Sequence, residues 1–158
     1  MAPEDFQERV AESLAPYTSA LTEILRKVVK HEYPTEVASV DFEVFPDGFT
    51  SGFPVRAFFM DDTNSEFFVQ EGSEAKYPCP VDPGLLVISR VYDVSLEEEL
   101  EATHPNTDAY TLAGQALIPW FAQCWVAAGG LQFDRSARIA LHDELESYDL
   151  VLQRWQTD

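Results

Sequence analysis

Five polar side chains crowd the stretch "RIALHDELESYDL", residues 138–150: His142, Asp143, Glu144, Glu146 and Asp149. A histidine among carboxylates is the raw material of a metal centre or of a general acid–base pair, because imidazole titrates near neutrality and both groups ligate divalent cations. A metal centre would need His142 with at least two converging carboxylates or further histidines. Glu146 and Asp149, three apart, would share a helix face, whereas His31 and His104 would have to arrive from distant parts of the chain. The simpler account is structural. A short strand over "ARIAL" (137–141) passes into a helix, Asp143 accepts a backbone N–H as its N-cap, and Glu144 and Glu146 in the first turn complement the helix dipole. With His142 beside Asp143 at the strand–helix junction, that explains four of the five polar residues without chemistry, so the stretch does not by itself make an enzyme. His142, Asp143 and Glu146 stand as the rim of an alternative ligand pocket.

Other catalytic signatures are missing. There is no GxGxxG, Walker A loop, HExxH or GxSxG. "DDTNSEFF" has the oxygen donors of a calcium loop but lacks the glycine at its sixth position and the glutamate at its twelfth. Cys124 falls on an apolar helical stripe and reads as a small core residue. Cys79, between two prolines, has no basic neighbour to lower its pKa. No metal and no cofactor are expected.

Charge dominates the composition: 28 acids against 10 bases give −18, and between Arg90 and Arg135 there are seven acids and no Lys or Arg. Such a surface repels nucleic acid, which needs cations to release its counterions, and disfavours anionic membranes. It attracts a basic protein and speeds the encounter, although acidity also serves plain solubility. The N-terminus "MAPEDFQERV" lacks the basic and apolar regions of a signal peptide, and no apolar run approaches the roughly 18–20 residues that span a bilayer. With two distant cysteines and no CxxC, the expected location is cytoplasmic, with reduced thiols.

The elements that must position these groups are legible as periodicities. With 158 residues, 46% of them hydrophobic, the chain suits a single globular domain over 1–158. Phe6, Val10, Leu14, Tyr17, Leu21, Leu25 and Val28 form one helical stripe that keeps its phase through Pro16, as a kinked helix or two helices nearly in line. Val40, Phe42 and Val44 alternate with acids as a half-buried strand, and "PDG" (46–48) is turn chemistry. "FPVRAFFM" (53–60) and "SEFFVQ" (65–70) read as a hairpin around "DDTN". A loop with Pro78, Pro80 and Pro83 precedes "LLVISRVY" (85–92), expected as a central strand. "SLEE" (95–98) is a capping box opening a short helix that Pro105 closes. Residues 108–128 carry a wide stripe including Trp120, Phe121, Cys124 and Trp125, ended by glycines 129–130. Leu145, Tyr148, Val151, Leu152 and Trp155 suggest a last helix, although Tyr148, Leu150 and Leu152 also fit a strand.

Eight of the eleven phenylalanines lie between Phe42 and Phe68, and the adjacent pairs Phe58–Phe59 and Phe67–Phe68 must split across the sheet. Either both faces are covered, or one shows aromatics to a ligand, a partner or a second copy in a homodimer.

These features predict an α+β fold: an antiparallel sheet of four to five strands with a long N-terminal helix and the Trp-containing helix packed against it. They point to a non-enzymatic acidic cytosolic binding protein of the inhibitor or immunity type, engaging a basic protein partner. Asp61, Asp62 and Glu66 on the hairpin, or Glu97, Glu98, Glu99 and Glu101 on the short helix, would steer it, with aromatic anchors. The alternative is a small-molecule-binding domain or enzyme with its pocket between the sheet and the core helix.

Overall fold

The computed structural model describes residues 1–67 and 85–157. Two helices open the chain, α1 (Pro3–Leu14) and α2 (Thr18–Lys30), joined by a single 3-10 turn, Ala15–Tyr17, that holds Pro16 in its first positions. Proline is tolerated there because the opening N–H groups of a turn lack internal partners anyway. The stripe therefore survives the junction: Phe6, Val10, Leu14, Leu21, Leu25 and Val28 are all fully buried.

Five strands form one sheet in the order β2-β1-β3-β4-β5, with β1 Ser39–Val44, β2 Val55–Met60, β3 Ser136–Leu141, β4 Glu146–Asp149 and β5 Arg154–Thr157. β1 and β2 are antiparallel, but β1 and β3 run parallel. The α+β class and strand number hold, and the purely antiparallel sheet is corrected to a mixed one. The physical reason is the crossover: between β2 and β3 the chain passes through α3 (Val94–Thr103) and α4 (Ala109–Ala127), the long connection that parallel neighbours require. β3, β4 and β5 then follow as antiparallel neighbours.

α1 and α2 pack on α4, and α4 lies on one face of the sheet. Phe42 of β1 meets Phe121 at 4.9 Å and Trp125 at 5.9 Å between ring centroids. Burying each such side chain stabilises the fold by roughly 1.5–3 kcal/mol. α4 runs unbroken through Pro119 and ends where Gly129 adopts φ 88°, a left-handed cap that glycine takes without strain. The buried Cys124 is a free thiol in this helix, and burial raises its pKa.

Three local expectations are overturned. Residues 85–92 form bends instead of a strand: Leu85, Leu86, Val91 and Tyr92 bury while Val87 is 87% exposed. Their apolarity serves an irregular plug, tied by Leu85 N–H to Val55 O and Val91 N–H to Phe49 O. The short helix α3 is capped by Asp93, whose carboxylate accepts from Ser95 N–H at 3.0 Å, so Ser95 donates to the cap instead of being it. The helix suggested over 145–155 gives way to the β4–β5 hairpin, the strand reading that the same spacing allowed. Tyr148 and Trp155 pair across it and touch edge-on at 5.5 Å. Asp149 locks its turn by accepting from Val151 and Leu152 N–H at 2.9 and 2.8 Å, and Gln153 sits at φ 57°. The hairpin expected over 53–70 is seen as β2, a turn, and a return marked by the Met60–Glu66 bridge and by Phe67 N–H to Phe59 O. Its remainder, the Pro78–Pro83 loop and Cys79 lie outside the described residues.

Candidate functional site

Strand alternation sorts each residue of the sheet to one of two faces. Val40, Phe42, Val44, Ala57, Phe59, Ala137 and Ile139 point to the helices and are buried. The paired positions between them, Asp41 with Phe58 and Arg138, and Glu43 with Arg56 and Ala140, define the opposite face. Asp149 joins it through its pairing with Arg138, and Gln156 through Ser147, the alternate neighbour of Tyr148 on β4. Phe58 and Phe59 split as adjacency requires, Phe59 buried and Phe58 half-buried on the open side.

One end of this open face carries a groove of about 570 Å³ lined by Ser39 and Asp41 of β1, Asp61, Asp62 and Asn64 of the β2 turn, Ser136 and Arg138 of β3, Asp149 and Gln156. Among the described residues four carboxylates thus share the groove with one guanidinium. Arg138 Nη2 donates to Asp41 Oδ2 at 3.0 Å, and Asp41 is only 8% exposed, so this pair neutralises itself at the floor. Asp61 is held by its own turn: Thr63 Oγ1 donates to it at 2.7 Å, and the Thr63 and Ser65 amides at 2.9 Å each. The Thr63 hydroxyl, then the Ser65 amide, keep its pKa below the ordinary carboxylate value, so it stays ionised well into acid. Asp62 and Asp149 complete an anionic rim.

The opposite end of the open face holds His142. Its Nδ1 lies 3.2 Å from Glu43 Oε2 and its Nε2 3.5 Å from Asp143 Oδ2, and its ring tilts against Phe45 at 4.9 Å. Arg56 covers the Phe45 ring at 5.1 Å. Tyr110 of α4 anchors the backbone here: its hydroxyl donates to Val44 O at 2.6 Å and accepts from His142 N–H at 2.9 Å. Burial pushes the Tyr110 phenol up to about 12. Asp143 is no helix cap: at φ 66° it turns the chain from β3 into β4, and Glu144 N–H closes on Leu141 O. Glu146 opens β4, exposed and paired with Thr157. Among the described residues no group of three or more His, Cys, Asp or Glu converges as a metal site would need. The layer between sheet and α4 is filled by Phe42, Phe121, Trp125 and Ile139, all at most 1% exposed.

Of the acids singled out from sequence, Asp61 and Asp62 reach the groove. Glu66 sits at the bridge to Met60, half-buried, where desolvation raises its pKa. Glu97, Glu98, Glu99 and Glu101 lie on α3, which packs on α1 and α4, and Glu97 accepts from Tyr92 Oη at 2.7 Å. The two acidic sets therefore belong to different elements, and of them only Asp61 and Asp62 line the groove. Asp41 and Arg138 were missed, and Asp149 was singled out only as a companion of His142 and Glu146, not of Asp61 and Asp62. Alternation in β1 and β3 placed the first two on a polar face, but only the parallel β1–β3 pairing makes them neighbours. Among the described residues no helix is long and apolar enough to cross a membrane. No protein-family model matches the chain, and neither a curated protein nor a solved structure is similar to it.

Proposed function

We propose that the chain is a non-enzymatic binding protein of the cytosol that engages a basic protein partner through the acidic groove of the open sheet face. The observation that carries the reading is that, among the described residues, Asp41, Asp61, Asp62 and Asp149 line one groove with Arg138, which is already paired with Asp41. Three supporting features agree. The overall charge of −18 steers a cationic surface toward the molecule. The carboxylates stand on strands and a hydrogen-bonded turn, so little ordering entropy is lost when a lysine or arginine enters. The half-buried Phe58 lies on the same face, where aromatics act as anchors. An inhibitor that masks the cationic surface of an enzyme is the class of activity such a groove suits.

The test uses a labelled oligolysine peptide as the probe and oligoglutamate as the control. Binding should weaken steeply with salt, because counterion screening acts on exposed charge pairs. The double substitution Asp61→Lys, Asp62→Lys should cost at least about tenfold in affinity, equivalent to about 1.4 kcal/mol. Replacing the four α3 glutamates by glutamine should cost much less, and His142→Ala should be nearly silent. A peptide whose binding follows α3 instead of Asp61 and Asp62, or that does not bind, would overturn the groove assignment.

A further inference from the structure

The two edges of the sheet are finished differently. The β2 edge is covered: Glu66 bridges to Met60, Phe67 N–H donates to Phe59 O at 2.7 Å, and Leu85 N–H to Val55 O at 3.3 Å. The β5 edge is bare. β5 pairs with β4 alone among the described residues, leaving the outward backbone groups of Arg154–Thr157 as a template for another strand. Beside it runs a groove of about 410 Å³ lined by Ile118, Ala122 and Val126 of α4 and by Tyr148 and Trp155 of the hairpin, with no charged side chain among its described lining residues. Trp155 is 52% exposed and Leu152 59%.

The geometry points to a two-fold dimer in which β5 of one copy pairs antiparallel with β5 of a second, delivering Arg154 of the second copy to the rim of the acidic groove. Charge selects this occupant. A basic partner gains little from a groove with no charge among its described lining residues, whereas a second copy of this acidic chain meets no described carboxylate in it. Register narrows the arrangement. Directly opposed residues in a two-fold antiparallel pair must share a face, so the axis passes through a residue. Centring on Arg154 would oppose two guanidiniums. Centring on Trp155 opposes the two indoles on the helix side, where each already touches its own Tyr148, and covers their exposed half. The same register sets Arg154 of one copy opposite Gln156 of the other, and Gln156 lines the groove that holds Asp41, Asp61, Asp62 and Asp149. The cation thus arrives where the anions are in excess. The dimer contact is made at the β5 end of the groove, whereas Asp61 and Asp62, which steer the basic partner, lie at its β2 end.

Sedimentation velocity of the full chain over a range of concentrations tests it. The expected result is a concentration-dependent monomer–dimer equilibrium that Trp155→Glu abolishes and Arg154→Glu weakens by about tenfold or more. Adding Gln156→Lys to Arg154→Glu should restore the dimer by reversing the opposed pair. Arg154 and Gln156 carry no core contact, so those variants keep the test decisive even if Trp155→Glu fails to fold, which circular dichroism would report. A chain that stays monomeric at the highest concentration overturns the proposal, as does a dimer unchanged in both Arg154→Glu and the double variant. Protection of the β5 amides from hydrogen exchange only when an apolar extended peptide is added would also overturn it, assigning the edge to a foreign strand.

Discussion

The two faces of the sheet are built from the same strands and alternate residue by residue, yet they answer to different physics. On the helix face, Phe42, Ile139, Phe121 and Trp125 exclude water, and their value lies in packing. On the open face, Glu43, Arg138, His142 and Asp149 remain partly hydrated around the nearly buried Asp41, and their value lies in charge and hydrogen bonding. The lesson is that stability and recognition are separated by a single residue step along each strand. Substitutions on the helix side should therefore unfold the protein, while most on the open side should spare the fold and change binding.

The largest expected effect is on the packed side. Phe121→Ala should cost about 3–5 kcal/mol in denaturant unfolding, since it empties a fully buried site against Phe42. A loss much smaller than this would mean that the helix face is less tightly packed than its burial implies. Gly130→Ala comes next. A Cβ there would run into the indole of Trp125, a rigid ring with no exposed surface to move toward, so roughly 1–3 kcal/mol of overpacking should appear as a lower unfolding midpoint.

Across the sheet, Arg138→Ala should cost roughly 1–3 kcal/mol because it leaves the nearly buried Asp41 carboxylate without its guanidinium. Asp41→Asn combined with Arg138→Ala should recover part of that loss, and a double-mutant cycle measures how much. This is the sharpest probe of the comparison, since it asks whether an open-face pair also holds the fold. Tyr110→Phe should cost about 0.5–1.5 kcal/mol, the net worth of one hydrogen-bonded hydroxyl, and should raise amide exchange at His142.

The smallest effect is on the pH dependence. Asp61 has a lowered pKa in the folded protein, so the unfolded chain takes up its proton first as acid is added. Its stabilising contribution is complete above the ordinary carboxylate pKa and is lost as pH falls through the lowered value. Asp93, held by Ser95, has the same sign. Glu66, raised by burial, has the opposite one: protonation relieves it. In thermal melts, the gap between the parent and Asp61→Ala should shrink toward zero on acidification, and a constant gap would show that the Thr63–Ser65 turn does not depend on the charge.

Much of the helical half was legible because a period of 3.6 over many turns is hard to mistake: the stripes of α1, α2 and α4 and the glycine stop all appear where the pattern places them. The last segment stayed open between helix and strand for want of length. Over 145–155 the apolar spacing fits both periods, and the decision came from Asp149 and Gln153 turning the chain and from Tyr148 meeting Trp155. Apolar character misled at 85–92, because a loop that plugs a core is as hydrophobic as a buried strand.

The sequence by itself determined the element types with long periods, the α+β class, the strong negative charge and two of the groove's acids, since these depend only on local spacing and composition. Which strands became neighbours, that β1 and β3 run parallel, and that Asp41, Arg138 and Asp149 meet with Asp61 and Asp62 at one groove, only the tertiary structure decided. Strand adjacency across some ninety residues is selected by how whole faces bury against α4, a global packing condition that leaves no local trace in the residues it brings together.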